Sequence, residues 1–366
     1  MEKPQRVKTL LAAIIAIYCS ITLVSSVGAA NLMQTELSEI SNPHIEVSSE
    51  YFSIEHITTT DGTELSAHII NGPSQPPVEF ETERADSMLV NTPEGILSNF
   101  PSYSWVFGCS AVSAAMIAAW YDRANFPNIY TGPTNGGVMP LSDTAWPRWS
   151  DGKQNYPSNP LVATRQGLDG NSSRGSIEDY WVESGSYAPD PYLSGGWQQH
   201  QWGAAIGDYM KSSQSNSGNI DGSTIFHNFY NGTGKFRCSD MENAKVDHID
   251  GTYGRKLFYR ARGYTVGDCY NQRTENVGGG FTLANLKAEI DAGYPVLLNL
   301  EGHSVVAYGY SGSTVYIRDT WDDNPNNVYT MPWGGSYCNM KMMSVSVVHP
   351  KIFITNNHLY LPVIRN

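Results

Sequence analysis

The order in which regular patterns appear along this 366-residue chain does most to limit its fold. One helix is written into Cys109–Arg123, where Val112, Ala115, Met116, Ala119 and Trp120 recur at helical spacing on one face. Asn125-Phe126-Pro127 stops it. Residues 128–280 are then dense in Gly, Pro, Asn and Ser, and short helices are expected there only at 176–181 and 202–210. Regularity returns at Thr282, which caps a helix over 283–292 that Gly293 closes. An apolar strand at 295–300, a hairpin from Gly302 to Asp319 and a strand at 344–348 follow. Helices before strands, without βαβ alternation, predict an α+β fold with an antiparallel sheet.

The N-terminus reads as an address. Lys3, Arg6 and Lys8 precede an apolar run over 10–24, and Val27-Gly28-Ala29-Ala30 supplies small residues for cleavage, the layout of a secretory signal peptide over 1–30. The run is shorter than the roughly 20 residues of a membrane span. Cys19 follows Tyr18, not a small residue, which argues against lipid attachment. A bacterial exported protein, secreted or at the cell surface, is the expectation. The formal charge is −12, and the net-positive segment 1–30 makes the remainder more acidic still. Nucleic acid is thereby excluded as an expected partner.

Residues 31–95 are polar, with strands expected at 51–57 and 64–70 and a break at Gly72-Pro73-Ser74-Gln75-Pro76-Pro77. The segment reads equally as a pro-segment, a linker or an added β element. Beyond residue 30 the cysteines are Cys109, Cys238, Cys269 and Cys338. In an oxidising compartment Cys238 and Cys269 are expected to pair, the alternative being two separate buried thiols. No clustered Cys/His spacing suggests zinc.

Cys109 stands in Ser104-Trp105-Val106-Phe107-Gly108-Cys109, where an aromatic stretch meets the start of the helix. A helix N-terminus beside a histidine lowers a thiol pKa to about 3.5–7.5. The hairpin supplies the histidine. A loop centred on Ser311 would pair residues whose numbers sum to 622, setting His303 opposite Asp319 on one sheet face. Singly, each residue has a plainer reading: a small core cysteine, a structural histidine, the first residue of a polar loop. Their order and local settings point to nucleophilic catalysis, with Asp319 fixing the imidazole as the third member of a triad does.

These motifs resemble the papain-like cysteine peptidase superfamily and, within it, the C39-like peptidase domain. Cys109-Ser-Ala-Val-Ser-Ala-Ala-Met116 resembles the nucleophile opening the central helix; His303-Ser-Val-Val-Ala-Tyr-Gly-Tyr310 resembles the base beginning a strand; Asp319 matches the Asp on the next strand. The resemblance covers roughly 96–350. It implies a papain-like fold, with the central helix bearing the nucleophile packed on an antiparallel sheet and a long loop-rich insertion. It also implies attack on peptide or protein amides through an acyl-enzyme thioester, with no cofactor.

Three features depart from that pattern. Papain-like peptidases place an oxyanion-hole glutamine about six residues before the cysteine, and Tyr103 stands there, leaving Ser104 or the indole N–H of Trp105 as weaker substitutes. The interval from Cys109 to His303 exceeds the about 130–150 residues usual in such enzymes. No Gly-Gly recognition context or transporter segment accompanies the domain. Two rival readings follow: a pseudoenzyme binding peptides or surface glycans in the same cleft, and an acyltransferase passing the thioester to an amine.

Other residues carry less. Asp322, Asp323, Asn324, Asn326 and Asn327 offer oxygen ligands without EF-hand spacing, so no metal is expected. Trp181, Trp197, Trp202 and Trp321 are candidates for a groove, with core packing as the plainer role, while His200, His227 and His248 lack ligand spacing. The residues from 351 to 366 form an apolar tail, and Asn171 and Asn231 open glycosylation sequons.

Overall fold

The protein's computed structural model describes residues 43–88, 92–124, 126–132, 134–150, 155–163, 203–214, 217–219, 222–274, 278–351, 354–355 and 358–359. The signal segment, the helix expected at 176–181, Trp181, Trp197, Trp202, His200, Asn171 and most of the C-terminal tail lie outside them.

Along the chain, β1 (His44–Ser48), β2 (Phe52–Thr58) and β3 (Glu64–Ile70) precede a short helix α1 (Glu81–Asp86), and β4 (Gly95–Ile96) leads to α2 (Cys109–Arg123). Next come β5 (Arg148–Ser150), β6 (Asn155–Pro157), α3 (Ile206–Met210), β7 (Thr224–Phe229), β8 (Phe236–Arg237), α4 (Cys238–Asn243), α5 (Gly251–Ala261) and β9 (Thr265–Arg273). The last part holds α6 (Leu283–Asp291), β10 (Val296–Leu300), β11 (His303–Ser311), β12 (Thr314–Arg318), β13 (Tyr329–Pro332), β14 (Ser336–Tyr337) and β15 (Met340–Lys351). The fold is α+β. One sheet runs β13-β12-β11-β10-β15-β9-β8, and a second runs β1-β2-β3-β7. Every neighbouring pair in both sheets is antiparallel.

Helix α2 packs on β10 and β11, and α5 on β9 and β15. The spacing of α2 reads as one apolar face, yet the helix is buried nearly all round, including Ser110, Ser113 and Asp122. Its alanines and serines let neighbours approach from every side, and the polar side chains find partners. Ser113 Oγ donates to the Ser304 carbonyl, and Asp122 accepts from the backbone N–H of Tyr130 and Met139. Strand β10 is buried at all five positions, as expected where both faces of a sheet are covered.

Two expectations need correction. The described part of 128–280 holds more than the short helices expected there: it contains β7, α5 and β9. In α5, Gly251 and Gly254 lower the helical signal, but a Cβ on Gly254 would stand 2.5 Å from Met210 Cα, so the glycine permits the close crossing with α3. The hairpin register also differs. Ser311 pairs with Thr314 around a two-residue turn, and a bulge between Ala307 and Gly309 brings Val306 opposite Arg318. Asp319 therefore lies just past β12. The bulge restores the parity that an even-numbered loop would have broken.

Cys238 and Cys269 form a disulfide, with Cα atoms 5.5 Å apart. They lie at the start of α4 and within β9, so the bridge ties a helix to a sheet instead of closing two loops.

Candidate active site

The approach to Cys109 is strained. Phe107 has φ 61° and Gly108 φ 124°. A Cβ at Gly108 would collide with the Gly222 carbonyl oxygen, so only glycine makes this turn. The turn delivers Cys109, fully buried, as the first residue of α2. Upstream, Ser102 Oγ donates to the Asp322 carbonyl (2.6 Å), Ser104 bridges Trp321, and Arg318 Nη2 donates to the Phe100 carbonyl (3.1 Å). The entry to α2 is thereby stapled to the exit from β12.

His303 arrives from the other side. Gly302, at φ 100°, closes the tight turn between β10 and β11, and His303 is the first residue of β11, opposite Leu300. The next backbone N–H, that of Ser304, donates to Cys109 Sγ at 3.3 Å. Behind it, Ser110 Oγ meets Ser304 Oγ at 2.8 Å and Ser304 Oγ donates to Asn299 Oδ1 at 3.0 Å, so buried polar contacts lock α2 to β11.

The imidazole is fixed by a second strained turn. His303 Nε2 lies 2.7 Å from the main-chain oxygen of Asp319 and 3.2 Å from Thr320 Oγ1. A carbonyl oxygen only accepts, so Nε2 carries the proton and Nδ1 presents its lone pair. Nδ1 is buried and has no hydrogen-bond partner among the described residues. Thr320 has φ 65°, a costly conformation for a β-branched residue, of the kind that collects at functional sites. Trp321 stacks on the His303 ring with centroids 4.1 Å apart.

Asp319 thus meets His303 through its carbonyl, whereas the sequence suggested its carboxylate. The carboxylate holds the turn. Oδ1 accepts from Trp321 N–H (3.2 Å), and Oδ2 accepts from Tyr337 OH (2.8 Å) and Arg84 Nε (2.7 Å). Arg84 comes from α1 and carries no signal in the sequence that links it to Asp319; it was missed for that reason.

Gly72 lies against both the thiol and the imidazole. A Cβ built there would stand 2.5 Å from His303 Nδ1 and 2.8 Å from Cys109 Sγ. Burial pushes the Cys109 thiol up to about 11, against the lowering effect of the Ser304 and Ser110 hydrogen bonds, and pushes His303 down to about 4 despite the Asp319 contact. Both groups are neutral at pH 7 in this covered state.

The oxyanion candidates separate. Tyr103 donates its hydroxyl to the Pro140 carbonyl at 2.6 Å, and Ser104 N–H donates to Asp143 Oδ2 at 2.7 Å. Trp105 packs beside Gly108 and Gly222, and its buried indole N–H has no partner among the described residues. The Asp322–Asn327 turn satisfies itself: Asp322 accepts from Asn324 N–H (2.8 Å) and Tyr329 OH (2.6 Å), and no His/Cys/Asp/Glu group suited to a metal occurs among the described residues. His227 pairs with Asp250 at 3.0 Å in a buried network with Asn271, away from any nucleophile named above.

Residues 210–342 match the model of the Peptidase_C39 like family. The match supports a C39-like peptidase domain over that span. The matched span of this domain includes His303, Asp319 and the strands that position them, while Cys109 and α2 lie N-terminal to it. No curated protein and no solved structure matches the chain.

Proposed function

We propose that the chain is an exported cysteine peptidase that hydrolyses peptide or protein amides through a thioester on Cys109. The observation that carries this reading is the convergence of Cys109 Sγ and His303 Nδ1 on the single point beside Gly72, at the start of a buried helix in a chain with a C39-like peptidase domain. α2 on its antiparallel sheet is compatible with a papain-like fold. The disulfide suits an oxidising compartment and so supports export.

In the proposed cycle, Nδ1 takes the thiol proton and the sulfur attacks the amide carbon. The C–S bond forms as the carbonyl π electrons move to oxygen. The oxyanion is met by the Cys109 backbone N–H, left unused by the helix, and by the Trp105 indole. Nδ1–H then protonates the departing amine. Water, deprotonated by Nδ1, attacks the thioester and releases the acid and the thiol. Nε2–H stays on the Asp319 carbonyl throughout, which makes Asp319 and Thr320 positioning residues.

One observation favours a binding protein instead: Tyr103 commits its hydroxyl to Pro140, so the position of the family glutamine offers no donor. Losing such a donor costs about 10²–10³ in rate. Hydrolysis of a fluorogenic peptide mixture by the chain carrying Gly72→Ala, which displaces the residue lying against the thiol and imidazole, decides between them. Turnover abolished by Cys109→Ser and by His303→Ala supports the peptidase. Peptide binding with no turnover above the Cys109→Ser background supports the binding protein and overturns the proposal.

A further inference from the structure

We propose that residues 71–88 are an autoinhibitory strap: this segment occupies the place of a substrate main chain between Cys109 and His303 and must leave before the site can act. The inference rests on the reading of Cys109 and His303 as the catalytic pair.

The strap enters at Gly72. Its main chain lies so close to sulfur and imidazole that a methyl group has no room, and an amide carbonyl from a substrate cannot occupy the same space. Pro73 follows, with its carbonyl accepting the Trp321 indole N–H at 2.9 Å, and Trp321 is the residue stacked on His303. Further along, Cys338 N–H donates to Glu83 Oε1 at 2.8 Å, and Cys338 Sγ lies 3.8 Å from the Phe80 carbonyl. Arg84 closes the strap on Asp319, with its guanidinium 4.4 Å over the Tyr329 ring. Polar latches therefore fall on Trp321, Cys338 and Asp319 beside the site, and at the far end the Ser87 carbonyl accepts from Thr330 N–H (3.0 Å) and Thr330 Oγ1 (2.9 Å).

The strap is built to let go. Helix α1 has six residues, none of them buried, and Val78 is 87% exposed. A helix this short is not stable on its own, and Phe80 is the large apolar side chain the segment packs on the core, so its polar latches carry most of its attachment. The preceding strand is different. β3 pairs with β7 along its length, so the sheet remains when the strap departs. Release also returns water to two groups whose main perturbation is burial, which moves the thiol down and the imidazole up toward the ion pair that attack requires.

Iodoacetamide alkylation of the folded full chain at pH 8, followed by mass spectrometry at Cys109 and Cys338, tests this. Gly72→Ala pushes the strap off at its entry. Glu83→Ala with Arg84→Ala removes two latches at a distance from the thiol and decides the matter if the first variant does not fold. The strap predicts Cys109 alkylation at least about tenfold faster in the variants than in the unaltered chain, the effect of losing one or two hydrogen bonds to charged groups. It also predicts faster Cys338 alkylation in the double variant. Equal Cys109 rates in the unaltered chain and the folded variants overturn it. The peptidase reading fails separately: variants that expose Cys109 yet cleave no peptide leave a strap over a non-hydrolytic site.

Discussion

Trp321 lies flat against His303, with ring planes 20° apart, while its indole N–H holds the Pro73 carbonyl. One side chain thus orients the candidate base and fastens the segment that covers it. The two roles are separable. Trp321→Phe keeps a ring on the imidazole but deletes the N–H, so it is expected to loosen the 71–88 segment, read as faster amide hydrogen exchange there. Trp321→Ala removes both, and truncation of a large buried ring is expected to cost about 3–5 kcal/mol of stability in urea denaturation.

Gly108→Ala tests the strained entry to α2. At φ 124°, facing the Gly222 carbonyl, an alanine has neither conformation nor room. A loss of about 2–4 kcal/mol is expected, with Cys109 displaced from His303 in any folded fraction. The measurement is denaturation, together with the rate of Cys109 labelling.

The sequence disclosed the elements whose signals are local. Cys109–Arg123, the Thr282-capped helix, β3 and the His303 hairpin could be read from spacing, caps and alternation. What it hid depends on contacts between distant residues. β9 reads as polar loop because Asn271 and Gln272 are buried on long-range hydrogen bonds to Asp250, the His227 carbonyl and the Thr233 carbonyl. Residue identity placed Asp319 near His303, but the bulge in β11 and the positive φ of Thr320 decide that its carbonyl meets the ring. Gly72 looked like a chain breaker; its place against the thiol follows from the β3–β7 pairing, which no local pattern announces.

Acid should weaken the fold through His303. Its folded-state value, about 4, lies below the ordinary 6.5 because the ring is buried. Between those values the unfolded chain binds a proton that the folded chain refuses, so stability falls as pH drops from about 6.5 to 4, by at most about 3 kcal/mol for this group. His68, buried and pushed down to about 3, acts in the same direction. Urea denaturation at pH 7 and pH 4.5 should show the loss, with a smaller difference in His303→Gln.

The Cys238–Cys269 bridge closes a segment 31 residues apart in sequence. Cys238→Ser with Cys269→Ser is expected to lower stability by about 2–4 kcal/mol, measured by denaturation against the oxidised chain. The site should survive at temperatures where the fold does, since neither sulfur touches Cys109 or His303.

The most direct test of the account is the pH profile of Cys109 labelling by a peptide-like electrophile, followed from pH 4 to 9 in the Gly72→Ala chain. An imidazole-activated thiolate predicts labelling that persists below pH 7 and is lost or shifted upward by His303→Ala. A single ordinary thiol titration, the same with and without His303, would contradict it.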